Sequence, residues 1–155
     1  MDGLDSRHMA IALREAKDAA ARGEVPVGAL IVDGDTKEIV ARAGNRVELL
    51  QDPTAHAEMQ AIKKACAALG QKRLDHCDLY VTLEPCAMCA SAIAHAHIRR
   101  LYFGASDPKG GAVENGPRFF EQPTCHHKPD VYGGIHESAA AALLVDFFKK
   151  KRWPD

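Results

Sequence analysis

Apolar residues recur at helical spacing through residues 6–22, where Met9, Leu13 and Ala16, with Ala12 and Ala20, fall on one face and Gly23 ends the run. VGALIV at 27–32 is β-branched and continuously apolar, which predicts a buried strand. DGDTKE then supplies a turn, and IVARA at 39–43 a partner strand, so the two predict a hairpin. A second helix is expected over 54–69, with Thr54 as its cap and Gly70 as its stop. DLYVTL at 78–83 predicts the next strand, 86–96 a third helix, and RRLYFGA at 99–105 another strand. Residues 106–130 carry proline and glycine but no period beyond a short turn at 118–121. Irregular segments of that length inside a domain are usually functional or disordered. A short strand at 130–132 and a last helix over 138–152 complete the pattern. Strands alternating with helices predict an α/β sandwich, parallel where a helix intervenes and antiparallel at the first hairpin.

At 155 residues the chain is sized for one domain with its own core. Net charge is −1, and neither half is a basic module: Lys and Arg number 11 against 13 acids up to Tyr80, then 9 against 8. The densest positive run is Lys149-Lys150-Lys151-Arg152. The first residues, MDGLDSRHMA, hold acids and no apolar core, so no secretory leader is expected, and no apolar run approaches a membrane span. Five cysteines (Cys66, Cys77, Cys86, Cys89 and Cys125) without a leader argue for a reducing, cytoplasmic setting, where metal binding or catalysis is a better reading than a disulfide framework.

Chemistry concentrates in EPCAMCAS, residues 84–91. Pro85 suits a first helical turn, and Cys86 and Cys89, three apart, share one face near the helix N-terminus, where the dipole favours thiolates. That geometry serves a metal or a redox dithiol equally well. The discriminating stretch lies upstream, in PTAHAEMQAI at 53–62. His56 with the two thiolates makes three zinc ligands, and three protein ligands plus water is the form of a catalytic zinc. Cys125, His126 and His127 stay open as a source of a fourth ligand. Glu58 then acquires a role, because hydrolysis at a metal needs a carboxylate that takes a proton and passes it to the leaving group. Residues two apart on a regular helix point to different sides, so His56 and Glu58 can share a metal only if it sits beyond the first turn.

His-Ala-Glu followed by Pro-Cys-Ala-Met-Cys resembles the zinc nucleoside and nucleobase deaminases, whose signature is of this form. Further segments, EVPVGALIV (24–32), GNRVE (44–48), DPTAHAEMQAI (52–62), LYVTLEPCAMCASAI (79–93), RRLYFGASDPKGGA (99–112) and LLVDFFKKKR (143–152), resemble the tRNA-acting adenosine deaminases of bacteria. The resemblance implies a three-layer α/β/α cytidine-deaminase-like sandwich around a mixed five-stranded sheet, in one domain covering residues 1–155. It implies one zinc ion per chain on His56, Cys86 and Cys89, with Glu58 as proton shuttle, and conversion of the wobble adenosine of an arginine tRNA to inosine. Asn45, Ala57, Glu84, Pro85, Asp107 and Phe148 match positions that meet the anticodon stem-loop or its flipped base. The family is a homodimer. Between Gly110 and Gly134 the chain is richer in proline and aromatic residues than the family pattern, and no contact is assigned there.

Plainer roles are expected elsewhere: Cys66 and Cys77 as core residues, His95 and His97 as helix-end residues, Phe147 as packing beside Leu143 and Leu144. Two other functions share the motifs in part. A deaminase of a free base, nucleoside or nucleotide (guanine, cytosine or cytidine) would keep zinc and Glu58 and differ in its pocket. A non-catalytic zinc-fold subunit would typically lack the carboxylate that Glu58 provides.

Overall fold

Alternate residues of the strands face two different helical layers. The computed structural model describes residues 3–152, with a five-stranded sheet built from β1 (Gly28–Asp33), β2 (Ile39–Gly44), β3 (Cys77–Leu83), β4 (Arg100–Ala105) and β5 (Asp130–Tyr132). The order is β2-β1-β3-β4-β5, with β1 antiparallel to both neighbours and β3, β4 and β5 mutually parallel. Leu30, Val32, Tyr80 and Tyr102 face α1 (Gly3–Ala21), meeting Met9 and Ala12. On this side α5 (Glu137–Arg152) also packs, through Ala140 against Ala105. Ile31, Leu79, Val81, Leu101 and Phe103 face the opposite layer, made by α3 (Ala57–Leu69) and α4 (Ala87–His95), through Ala57, Ala61, Ala65, Ala90 and Ile93. The sheet is therefore mixed and lies between two helical layers, as the resemblance implied.

Small residues set how closely the layers approach. A Cβ on Gly28 would stand 2.0 Å from the Ala12 carbonyl oxygen, so α1 lies directly on β1 only because that position is glycine. At the other end of the sheet Asp78, 1% exposed, accepts two hydrogen bonds from Arg99, at 2.9 Å from Nε and 2.8 Å from Nη2. This fork pairs an otherwise costly buried carboxylate and joins β3 to the start of β4.

Most elements fall within a few residues of their expected bounds, and the differences have local causes. The helix expected from Thr54 begins at Ala57, because the Thr54 hydroxyl donates to Asp52 Oδ1 at 2.7 Å instead of capping. Gly70 ends it in the left-handed region, at φ 65°. A four-residue helix, α2 (Val47–Leu50), was not expected, being too short to show a period. The turn expected at 118–121 is a single 3-10 turn, Phe119–Glu121. No helix among the described residues is long and apolar enough to cross a membrane.

Candidate active site

Two helix N-termini meet at one end of the sheet, α3 after the β2 side and α4 directly after β3. His56 and Cys86 are the residues just before these helices, both extended (φ −69°, ψ 155° and φ −73°, ψ 176°), and Cys89 lies in the first turn of α4. That resolves the spacing problem of His56 and Glu58. His56 is not on the helix, so it can turn back across the helix end while Glu58 points inward from the first turn.

His56 Nδ1 lies 3.7 Å from Cys86 Sγ and 3.5 Å from Cys89 Sγ. All three donor atoms lie within 4.8 Å of one another, and among the described residues this is the group of that kind. A tetrahedral zinc with Zn–N of about 2.0 Å and Zn–S of about 2.3 Å separates its nitrogen and sulfur ligands by about 3.5 Å. The donor set and its spacing therefore fit zinc. Cys125, His126 and His127 do not join it: the Cys125 thiol donates to the His127 carbonyl at 3.1 Å, and His127 Nε2 pairs with the Ile98 carbonyl at 2.8 Å. Cys77 is buried and Cys66 half-buried, as expected of packing residues, and all five cysteines are free.

The three ligand side chains shift one another's pKa values. Hydrogen bonding from Cys89, against the opposing effect of burial and with help from His56, pulls Cys86 down to about 4. The thiol partner Cys86, then burial, pushes Cys89 far up, and contact with Cys86 raises His56. The site is thus one that holds negative charge and exchanges protons for a cation. Glu58, 4% exposed, is lifted to about 7, first by burial and then by the Cys86 thiolate, against its own backbone N–H. A carboxyl so placed both accepts and returns a proton near neutral pH.

These groups open into a cavity of about 340 Å³, bounded by His56, Glu58, Cys86, Asn45, Glu84 and Asp107. That volume suits one nucleoside-sized ligand. Ala57 and Pro85, whose backbone the resemblance places along the base pocket, are buried: Asn45 Oδ1 accepts the Ala57 N–H at 2.7 Å, and the Pro85 carbonyl accepts from Ala112 at 2.9 Å. Phe148, 46% exposed, flanks a neighbouring groove with Asp107 and Lys109.

Some wall residues were not singled out from sequence. Phe147, expected to pack, reaches the cavity with Lys151, whose Nζ stands 5.3 Å above its ring. Glu24, 1% exposed, accepts the N–H groups of Glu48 at 3.0 Å and Leu49 at 2.8 Å, holding α2 at the cavity mouth. No sequence signal pointed to it, since a lone glutamate after a helix stop reads as surface. Glu84 is held below the usual carboxylate range: burial would raise it, but the N–H groups of Asp107, Val113 and Glu114 and the Asn115 amide outweigh burial.

The profile of the cytidine and deoxycytidylate deaminase zinc-binding region matches residues 3–105. A tRNA-specific adenosine deaminase of Agrobacterium fabrum is 61% identical over 148 residues, covering 95% of each chain. A solved structure from a study of A-to-I editing by tRNA:A34 deaminases at the wobble position is 60% identical, with TM-score 0.87, covering 89% of this chain and 99% of that one. The guanine deaminase of Bacillus subtilis is more distant, 29% identical with TM-score 0.65, covering 100% of this chain and 97% of its own. The zinc-ligand geometry, the mixed sheet and the near full-length identity agree, and the chain belongs to the tRNA-specific adenosine deaminases, within the cytidine and deoxycytidylate deaminase zinc-binding family.

Proposed function

We propose that this chain, as one domain, converts the wobble adenosine of an arginine tRNA to inosine, binding the anticodon stem-loop as a cytoplasmic homodimer. The observation that carries the reading is the placement of buried Glu58 beside the His56, Cys86 and Cys89 cluster, in the lining of a nucleoside-sized cavity. Zinc on those three ligands supplies Lewis acidity that brings the pKa of a water toward about 7. Glu58 takes a proton from the water that adds at C6 of adenine. It delivers that proton to N1, then moves the proton of the new C6 hydroxyl to the departing amino group, so adenosine and water become inosine and ammonia. Asn45 and Asp107 hold the nucleotide at the wall and rim, and Phe148 with the basic end of α5 meets the flanking RNA. Leu49 and Leu50 of α2, 58% and 51% exposed beside the cavity mouth, support a second copy covering this edge and completing the site.

The runner-up, a deaminase of free guanine, cytosine or cytidine, shares the zinc chemistry. The level of identity to tRNA-specific relatives favours the RNA substrate. The test is deamination of an arginine-tRNA anticodon stem-loop beside free guanine, cytosine, adenosine and cytidine. Inosine in the stem-loop with the small molecules unchanged is the expected result, and the reverse overturns it.

A further inference from the structure

Glu84 closes the gap after β3, two residues before Cys86, and is 2% exposed. Its Oε1 accepts the Asp107 N–H at 3.0 Å, the Asn115 side-chain amide at 2.7 Å and the Ser106 hydroxyl at 3.4 Å. Its Oε2 accepts the N–H groups of Val113, Glu114 and Asn115 at 3.0, 2.9 and 3.1 Å. Six donors thus converge on two oxygens, and they come from both ends of one loop, residues 106–115. The loop also passes directly over the carboxylate: a Cβ on Gly111 would stand 2.5 Å from Glu84 Oε2.

What the loop presents is Asp107. Its Oδ1 accepts the N–H groups of Lys109 at 3.2 Å and Gly110 at 3.0 Å, which locks the side chain and leaves Oδ2 as the free acceptor. Asp107, half-buried, and Gly110, exposed, line the outer part of the cavity that Asn45 also lines. The far part of the loop has further holds, since the Ala112 N–H donates to the Pro85 carbonyl at 2.9 Å and Val113 packs in the core. Among the described residues, though, Glu84 is the only side chain outside the loop that bonds both of its ends. Burying a carboxylate is costly unless it is fully paired, and here the pairing is what closes the loop.

We infer that Glu84 is a positioning residue for nucleotide recognition: its carboxylate gathers residues 106–115 so that Asp107 stands at the cavity rim. It acts on binding of the RNA through Asp107, and takes no part in the proton transfers of Glu58. The inference rests on the deaminase reading above.

Glu84→Gln keeps the size and turns one accepting oxygen into a donor facing donors. With the anticodon stem-loop as substrate, KM rises about tenfold to hundredfold while kcat changes less than about threefold, and zinc stays at one per chain. Combined with Asp107→Ala, the double variant is no worse in KM than Asp107→Ala alone, because the two act in series. Hydrogen exchange without RNA speeds up across 106–115 and not at the starts of α3 and α4. A fall in kcat at constant KM, multiplying losses in the double variant, or unchanged exchange in the loop overturns the inference. If the glutamine variant does not fold, Asn115→Ala removes the side-chain amide that bridges Glu84 and Ser106 more gently, and the same KM, coupling and exchange pattern decides. If the unaltered protein leaves the stem-loop untouched, the deaminase reading falls, and loop exchange alone then decides the role of Glu84.

Discussion

Asn45 Oδ1 accepts the hydrogen bond of the Ala57 N–H at 2.7 Å, so a residue that lines the cavity also caps the helix that carries Glu58. The oxygen is committed to the helix, and the amide NH₂ is the group left for a ligand. Asn45→Asp separates the two jobs. An aspartate keeps an acceptor at a helix N-terminus, where negative charge is favourable, but removes the donor. Thermal unfolding should shift by no more than a few degrees, about what a fraction of a kcal/mol produces, while KM for the stem-loop rises at least about tenfold. Asn45→Ala should lose the cap as well and cost about 1 kcal/mol of stability. An Asp variant with unchanged KM would separate Asn45 from substrate.

Glu58 is buried and its carboxyl sits near neutrality, so its removal takes away chemistry and little folding energy. Glu58→Gln is expected to lower kcat by about 10²- to 10⁴-fold, or further if both proton transfers pass through it. Zinc content and unfolding temperature should stay at or above those of the unaltered protein. Turnover within a few fold of the original would refute the shuttle role.

Glu58 and the metal site were legible in the sequence, because Cys86-x-x-Cys89, open between metal and redox chemistry by itself, takes a single chemical sense once His56-x-Glu58 stands upstream. The sheet was legible for a similar reason: VGALIV, DLYVTL and RLYFGA are apolar runs of strand length between breakers. What was hidden depends on contacts between distant residues. Glu84 was assigned to the pocket by family resemblance, yet its carboxylate binds donors 22 to 31 residues downstream, which no window of sequence reveals. Glu24 is hidden likewise, holding α2 from 24 residues away. Phe147 and Phe148 are adjacent and chemically alike, so only the rotation of α5 decides that Phe147 reaches the cavity and Phe148 the outer groove.

Cys86→Ala should leave His56 and Cys89 as a two-ligand site, and zinc measured by elemental analysis should fall well below one per chain. Protons compete with zinc for both thiolates, so retention by the unaltered protein should weaken as pH falls and recover as it rises. Chelation should abolish deamination and added zinc should restore it. One zinc per chain in the Cys86→Ala variant would mean that another ligand substitutes.

Lys149, Lys150 and Lys151 are exposed on the last turns of α5, and Lys151 stands over the Phe147 ring at the cavity edge; the side chain of Arg152 lies outside the described residues. Truncation after Phe148 should weaken stem-loop binding and flatten its dependence on the logarithm of salt concentration by about 0.7 for each phosphate that is no longer neutralised. An unchanged slope would place the basic run away from the RNA.

If the His56, Cys86 and Cys89 site with Glu58 edits tRNA in preference to a free base, direct competition between the two reveals it. Zinc-loaded protein is given arginine tRNA and guanine in one vessel, and ammonia, inosine and xanthine are followed over time. The expected result is one inosine per tRNA at the wobble position, ammonia equal to inosine, and no xanthine. Xanthine accumulating while the tRNA keeps its adenosine would contradict it.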